Sequence, residues 1–419
     1  MSREIVAGVT TFLTMAYIVV VNPAILSTPG TGMPFSGALT ATVLVCVTMT
    51  LLMGLYARLP FGVAPGMGLN AFFTYTIIIN GHVPWPTALG IIFWAGVIFL
   101  LVSATPLREK IALSYPPHLR RATAAGIGLL LTFLGLQNGG FVAANPATMV
   151  GPGSLDHRAL FTLAGLLISV WLSRRDNPFA YLAGITFVTA GAWIGGYVPT
   201  PTSWFSAPDF SSVFFKLDVW GALQLSLLPA LITVMLTDLF DSLSTFIGVA
   251  NAAHLVDAQG EPTRLRQGLI VDAVATFGAG LFGSSSGTAY VESIAGIRMG
   301  GRTGTTAVVT AVCFLPCLFI APLAAAIPPF ATAAVLILVG VSMFQSVTTL
   351  TFDELETAVP AFATLILIPL TFSITQGILW GFILHAVLHT VAGRARAVTP
   401  AAWGLAAVSI GLLVIEHVH

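Results

Sequence analysis

The chain has very few charged residues for its length. Asp, Glu, Lys and Arg make up only 8% of its 419 residues, against about 25% in an ordinary soluble domain. So few charged side chains could not cover the surface of a soluble enzyme of this size. Acidic and basic residues are equal in number, 16 each, so the basic excess of a nucleic-acid-binding protein is missing too. The composition excludes both classes, and no nucleic acid is expected as a partner.

Cysteine, phosphate-binding and metal-binding motifs are scarce as well. The three cysteines all stand in apolar runs, which argues against a disulfide scaffold. No G-x-x-x-x-G-K-[ST] loop occurs, so ATP-driven pumping by this chain is unsupported. His385 and His389 lie one helical turn apart without a third ligand. We therefore predict neither a metal site nor a cofactor.

Long apolar runs are what the sequence has instead, since 56% of its residues are hydrophobic. Runs of about 20 apolar residues predict transmembrane helices. Fourteen such runs lie at about 5–27, 36–57, 62–80, 86–105, 119–137, 158–173, 178–197, 218–248, 265–283, 284–299, 304–327, 331–350, 358–372 and 374–392. A last, shorter run at about 401–416 either spans the membrane or lies in its interface. The pattern predicts an all-α polytopic membrane protein surrounded by lipid.

The basic residues test this map, because cytoplasmic loops carry an excess of Lys and Arg. With the N-terminus in the cytoplasm and the spans alternating, every basic residue except Arg158 and Lys216 falls on the cytoplasmic side. If one span were miscounted, the basic residues would be distributed over both sides of the membrane. We therefore predict a multi-pass protein of the cell membrane with a cytoplasmic N-terminus.

Two of the runs begin with residues that break a helix. The third opens with a Gly- and Pro-rich stretch at 62–70, and the tenth with a Gly- and Ser-rich stretch at 283–288; neither composition suits a regular helix. Each run becomes helix-like afterwards, over 71–79 and 289–297. The breaks occupy matching positions in two seven-span halves, and because seven is odd the second half is inverted. Inverted repeats with matching broken helices are typical of secondary transporters, so we expect the breaks to meet at a substrate site near the midplane.

Four acidic residues fall within the predicted spans: Asp238, Asp241, Asp272 and Glu292. A charge inside the bilayer is costly, so it usually marks a pathway or a proton relay. Glu292 lies about one helical turn into the tenth run. Asp238 and Asp241 are three residues apart and share a helix face, and two carboxylates this close disfavour joint ionisation, which suits a proton carrier. The alternative is that one carboxylate of each pair is a hydrogen-bond partner of the broken backbone.

Residues at the two breaks complete the candidate substrate site. Asn70 follows the first break, and its amide offers a donor and an acceptor to a ligand, although Asn is also a favoured helix cap. Phe72 and Phe73 either stack on a flat ring or pack in the core. Gly287 allows close approach of the backbone, and the Thr288 hydroxyl serves a ligand or the backbone.

Four sequence blocks resemble those of a known transporter family. They are EIVAGVTTFLTMAYI at 4–18, APGMGLNAFF at 64–73, DLFDSLST at 238–245 and AYVES at 289–293. Together they resemble the adenine–guanine–hypoxanthine permeases, a branch of the nucleobase–cation symporter and nucleobase–ascorbate transporter superfamily. The resemblance covers nearly the whole chain. Ser242, Ser244, Gly287 and Ala289 depart from the usual pattern, so the preferred purine stays open.

This resemblance implies fourteen segments in two inverted seven-segment repeats, with short strands and half-helices at segments 3 and 10. It implies a core domain at 1–105 and 201–327, and a gate domain at 106–200 and 328–419. The family's nucleobase-binding carboxylates correspond to Asp238 and Glu292, and its segment-3 Asn corresponds to Asn70. A homodimer formed through the gate domains is also implied.

We therefore predict a transporter, not an enzyme, that imports purine nucleobases by proton symport through an elevator-like or rocking motion. The predicted substrate-binding residues are Asn70, Phe72, Phe73, Asp238, Gly287, Thr288 and Glu292. The predicted proton-coupling residues are Asp241, Asp272 and Glu292. Three alternatives stay open: a uracil or xanthine permease of the same superfamily, an anion transporter of the same fold, and a membrane-embedded enzyme. An anion transporter should place a cation at a break, and no Lys or Arg stands beside Asn70 or before Glu292.

Overall fold

A computed structural model describes residues 2–105, 115–253, 255 and 263–418 of the chain. These residues are mostly helical, as predicted. The α-helices, numbered in chain order, are α1 (Ser2–Met15), α2 (Ile18–Leu26), α3 (Phe35–Leu52), α4 (Met67–Ala71), α5 (Trp85–Ala104), α6 (Pro117–Asn138), α7 (His157–Ser173), α8 (Ala180–Ile194), α9 (Leu228–Ala253), α10 (Leu265–Phe282), α11 (Ser293–Arg298), α12 (Gly304–Phe314), α13 (Ala321–Ala325), α14 (Pro329–Phe344), α15 (Leu355–Thr371), α16 (Ile374–Val391) and α17 (Pro400–Val418). A π-helical turn over Met53–Ala57 continues α3, and another over Phe72–Asn80 continues α4.

Eight helical segments in the described part of the chain are long and apolar enough to cross a membrane. They are Ser2–Leu26, Phe35–Ala57, Trp85–Ala104, Pro117–Asn138, Leu225–Phe246, Leu265–Phe282, Pro329–Thr349 and Ile374–Val391. The other predicted spans are shorter apolar helices or strand-and-helix segments, so the count of fourteen stays a prediction. The chain is a multi-pass membrane protein. The predicted start of the gate domain at residue 106 lies outside the described residues.

The two predicted breaks do meet. Strand β1 (Val63–Pro65) pairs antiparallel with strand β4 (Gly287–Ala289), with Ala64 opposite Thr288. All six strand residues are buried. A second antiparallel pair, β2 (Val142–Asn145) with β3 (Met149–Pro152), forms a partly exposed hairpin elsewhere. The expectation that the broken segments come together is therefore confirmed.

Side chains satisfy the outer edges of the buried strand pair. On the β1 side, the Thr50 hydroxyl accepts a hydrogen bond from Val63 N and donates one to Val63 O, both 2.9 Å long. On the β4 side, Asp272 Oδ1 accepts from Ala289 N at 2.7 Å and the Thr276 hydroxyl donates to Gly287 O at 3.1 Å. Because unpaired backbone groups are very costly inside a bilayer, these contacts let a two-stranded sheet exist within the bundle.

The two half-helices begin at other residues than the sequence predicts. Helix α4 starts at Met67, four residues early, because Asn70 N already donates to Gly66 O at 2.9 Å. Asn70 therefore lies inside the helix, and its interpretation as a cap is wrong. Helix α11 starts at Ser293, four residues late, because backbone pairing continues beyond β4 through Tyr290 N and Gly62 O at 2.9 Å. Glu292 accordingly precedes the half-helix instead of lying one turn into it.

Candidate substrate site

A cavity of about 420 Å³ lies beside the paired strands. One wall consists of the turn from β1 into α4, the segment from Thr288 to Glu292, and the face of α9 that carries Asp241, Ser244 and Thr245. The opposite wall comes from helices α6, α8 and α14 and contributes Ala124, Tyr181, Val339, Ser342 and Met343, with Gln345 just beyond α14. This volume suits a small-molecule ligand.

Glu292 presents its carboxylate to the cavity in a fixed orientation. Tyr17, in the gap between α1 and α2, donates a hydrogen bond of 2.7 Å from its hydroxyl to Glu292 Oε1. The Tyr17 ring also packs edge-on against Tyr181, with 5.1 Å between the ring centroids. The half-buried carboxylate is thus held by one partner and keeps its second oxygen for a ligand or a proton.

Asp241 is the second carboxylate that lines the cavity. It is half-buried on α9, and among the described residues no group donates a hydrogen bond to it. No Lys or Arg lines the cavity within the part of the chain that the structure describes. The cavity is therefore acidic, which disfavours an anionic ligand and favours a neutral hydrogen-bond donor or a cation.

Asp238 and Asp272 lie outside the cavity, behind strand β4. Asp238 is fully buried and accepts a hydrogen bond from the Thr276 hydroxyl. Asp272 accepts from the Ser242 hydroxyl, from Thr288 Oγ1 at 3.2 Å and from the backbone of the strand. Asp272 is thus a hydrogen-bond partner of the broken backbone, at Ala289 N. This is the alternative role predicted for one carboxylate of each pair.

Four other predicted site residues also lie outside the cavity lining. The buried Asn70 accepts a hydrogen bond from the Ser285 hydroxyl. Phe72 and Phe73 are fully buried in the hydrophobic core. Gly287 sits in strand β4, where a Cβ atom would lie 2.8 Å from the Cβ of Ala275. Of the predicted residues, the structure therefore brings Asp241, Thr288 and Glu292 together around the cavity.

Three tyrosines of the cavity are not among the residues predicted from the sequence. Tyr17, Tyr181 and Tyr290 all line the cavity, although the chain has only seven tyrosines. A tyrosine within an apolar span carries a polar group that needs a partner, and this signal was available.

Comparison with known proteins places this architecture in a transporter family. A family model described as the permease family matches residues 2–380. The chain is 39% identical over 398 residues to the adenine permease AdeP of Escherichia coli (strain K12), across 95% of this chain and 89% of that permease. It is 37% identical over 407 residues to the guanine/hypoxanthine permease PbuO of Bacillus subtilis (strain 168), across 95% and 94% of the two chains.

A solved structure shares the fold at low sequence identity. The transmembrane domain of a cyanobacterium bicarbonate transporter, BicA, aligns with a TM-score of 0.66 at 18% identity, over 91% of this chain and 97% of that one. The family match and the relatives named as permeases define a membrane transporter. The chain belongs to the permease family, in the branch of the adenine, guanine and hypoxanthine permeases.

Proposed function

We propose that this protein imports purine nucleobases by proton symport. The observation that carries the proposal is the pair of carboxylates, Asp241 and Glu292, which face one cavity lined by tyrosines and without a cation among the described residues. A neutral purine is flat and presents N–H donors at its edge, so it complements both features. The relatives named as adenine and guanine/hypoxanthine permeases support this substrate class.

The binding mode follows from the lining residues. Glu292 accepts hydrogen bonds from ring N–H or exocyclic amino groups, and the Thr288 hydroxyl serves an adjacent edge. The Tyr181 ring, packed against Tyr17, covers a face of the base. The predicted site residues that lie outside the cavity hold the half-helices and strand β4 in place from behind this wall. They are Asn70, Phe72, Phe73, Asp238 and Gly287.

Proton coupling uses the same carboxylates. Asp241 or Glu292 takes up a proton when the purine binds, which neutralises the site. A neutral site costs far less to move past apolar surroundings than a charged one. Asp272, which Ser242 and Thr288 connect to the cavity wall, is the third candidate for the proton.

Alternating access follows from the position of the cavity between two walls. The strand pair, the half-helices and α9 belong to the core domain at 1–105 and 201–327, whereas α6, α8 and α14 belong to the gate domain at 106–200 and 328–419. Motion of the core against the gate, elevator-like or rocking, exposes the purine to either side. The proposal includes fourteen segments in two inverted repeats, a homodimer formed through the gate domains, and a cytoplasmic N-terminus in the cell membrane.

The test is uptake of labelled hypoxanthine, guanine, adenine and uracil by cells stripped of their own nucleobase carriers, with and without a protonophore. Purine uptake that collapses with the proton gradient is the expected result. Uptake of uracil alone would contradict the proposed purine substrate. If the protein reaches the membrane and no base enters, the proposal is wrong and bicarbonate uptake becomes the next assay, because BicA shares the fold.

A further inference from the structure

A second cavity, of about 620 Å³, lies away from the candidate substrate site and is rich in arginine. Its lining includes Arg58 at the end of the π-helical turn that continues α3, Arg264 immediately before α10, and Arg302 shortly before α12. These three side chains come from three separate loops. All three loops are predicted to be cytoplasmic, so the fold brings three of the basic residues predicted for that membrane face to one cavity.

The three guanidinium groups have unused hydrogen-bonding capacity. Arg264 donates to Ala57 O at 3.3 Å, and Arg302 donates from one nitrogen to Ile297 O and Gly301 O. Within the described ranges, none of the three arginines forms an ion pair. A guanidinium carries five N–H donors in a fork that matches phosphate oxygens. The cavity therefore complements a phosphate group in both charge and geometry.

An apolar surface leads away from the arginines along α12. Leu55 and Val308 line the cavity itself, and Leu55 is 66% exposed. Val312 and Leu315 follow Val308 at helical spacing and are also exposed, at 54% and 43%. Because α12 begins at the arginine-lined cavity and this stripe runs towards its other end, it lies where an acyl chain attached to a bound headgroup would extend.

We propose that this cavity binds the headgroup of an anionic phospholipid of the cytoplasmic leaflet. The phosphate lies among Arg58, Arg264 and Arg302, and an acyl chain lies along Val308 and Val312. Basic pockets between transmembrane helices on the cytoplasmic side are suited to such headgroups. Because the stripe starts at the cavity, a headgroup bound among the arginines keeps its acyl chain against α12, whereas a free phosphate gains nothing from the stripe.

The lipid site is linked to the substrate site through α11. Arg302 donates to Ile297 O at the C-terminal end of this half-helix, whose other end follows Glu292. A phosphate that engages the free nitrogens of Arg302 holds that end of the half-helix in place. Bound lipid is therefore expected to raise the thermal stability of the protein.

The test measures lipid binding to the purified full-length protein. Phosphatidylglycerol and phosphatidylcholine are titrated in detergent, with the unfolding midpoint and the bound lipid, identified by mass spectrometry, as readouts. The double variant Arg58→Gln/Arg264→Gln is expected to bind phosphatidylglycerol about 30-fold more weakly, at roughly fivefold for each arginine removed. The matched control Arg174→Gln/Arg175→Gln removes the same charge from two exposed arginines after α7 and should bind like the native protein.

Two further experiments distinguish a lipid headgroup from a free phosphate compound, and both can be carried out on the native protein. Soluble glycerol phosphate should neither stabilise the native protein nor displace the lipid; if it does both, the site is a free-anion site and the proposal is wrong. In the native protein, the preference for phosphatidylglycerol over phosphatidylcholine should shrink as salt is added, because the attraction is screened. Equal binding of both lipids, or equal binding by the double variant and its control, would overturn the proposal. Each of these outcomes is independent of purine uptake.

Discussion

Tyr17 and Glu292 are joined by a hydrogen bond of 2.7 Å, although 275 positions separate them in the chain. The bond connects the gap between α1 and α2 to the residue that precedes half-helix α11. Thr14 adds a longer contact of 3.4 Å from its hydroxyl to the backbone oxygen of Glu292. The orientation of the carboxylate in the cavity thus depends on two elements from opposite halves of the sequence.

Replacing Tyr17 with Phe should weaken purine binding while the fold is kept. The ring, and with it the edge-on contact with Tyr181, remains, but Glu292 loses its orienting donor. A hydrogen bond to a charged group contributes about 1.5–3 kcal/mol, so KM for uptake should rise by at least tenfold. Tyr197→Phe, at an exposed tyrosine away from the cavity, is the control. An unchanged KM for Tyr17→Phe would show that the hydrogen bond plays no part in binding.

Replacing Asp241 with Asn should separate binding from proton coupling. Asp241 faces the cavity, and no described residue donates a hydrogen bond to it, so an amide of the same shape fits without losing a partner. The variant should bind purine with comparable affinity but fail to accumulate it against a gradient, and its uptake should no longer respond to external pH. Asp353→Asn, at an exposed carboxylate, should behave like the native protein. Normal accumulation by Asp241→Asn would place the coupling proton elsewhere.

Replacing Gly287 with Ala should destabilise the buried strand pair. The added Cβ would lie 2.8 Å from the Cβ of Ala275 and 3.1 Å from its backbone oxygen, and overpacking of this kind costs about 1–3 kcal/mol. We expect a lower unfolding midpoint and reduced uptake. Gly404→Ala, where no atom beyond the adjacent residues and the local helix backbone lies within 4 Å of the new Cβ, is the matched control. Equal midpoints for the two variants would mean that the sheet adjusts without cost.

The loop between α8 and α9 carries a pH-dependent contribution to stability. Partial burial raises the pKa of Asp209, but hydrogen bonds from Ser212, Ser36 and Ser211 outweigh this effect and hold the pKa at about 2. The Ser36 hydroxyl donates to Asp209 Oδ2 at 2.8 Å, so the carboxylate ties the loop to the start of α3. Because the pKa is depressed on folding, the stabilisation is complete above the unfolded pKa of about 4 and is lost as pH falls through about 2.

Asp209→Asn should therefore unfold at a lower temperature than the native protein at pH 7. The Asn side chain has the shape of Asp, but it lacks the negative charge that the hydrogen bonds from the three serines stabilise. The difference between the two midpoints should narrow as pH falls from about 4 towards 2, since the native carboxyl then becomes protonated. A difference that is constant with pH would mean that the charge of Asp209 contributes nothing to stability.

Local composition is what made the two breaks predictable. The Gly, Pro and Ser residues at 62–70 and 283–288 disfavour helix whatever surrounds them, and the predicted inverted repeat led us to expect that the two breaks meet. The starting residues of the half-helices were not predictable, because long-range pairing sets them: Tyr290 N bonds to Gly62 O, more than half the chain away. Sequence patterns near the breaks contain no trace of that partner.

Helical spacing identified the acidic residues but not their orientation. Side chains three positions apart point in similar but not identical directions from a helix. On α9 this difference in direction places Asp241 at the cavity, whereas Asp238 points towards Thr276 on α10. The partner of Tyr17 could not be predicted for the same reason, since only the folded chain brings the Tyr17 hydroxyl to Glu292. The sequence shows which polar side chains are available within the spans. The three-dimensional packing determines which of them line the cavity.

The most direct test of the account is proton-driven uptake by purified protein in liposomes. With an inward proton gradient imposed and labelled hypoxanthine or adenine outside, the native protein should accumulate the base, and Glu292→Gln should not. Glu354→Gln, at an exposed carboxylate paired with Arg394, should accumulate it normally. If Glu292→Gln accumulates the base like the native protein, or if the native protein accumulates none, the assignment of a proton-coupled purine site to this cavity is contradicted.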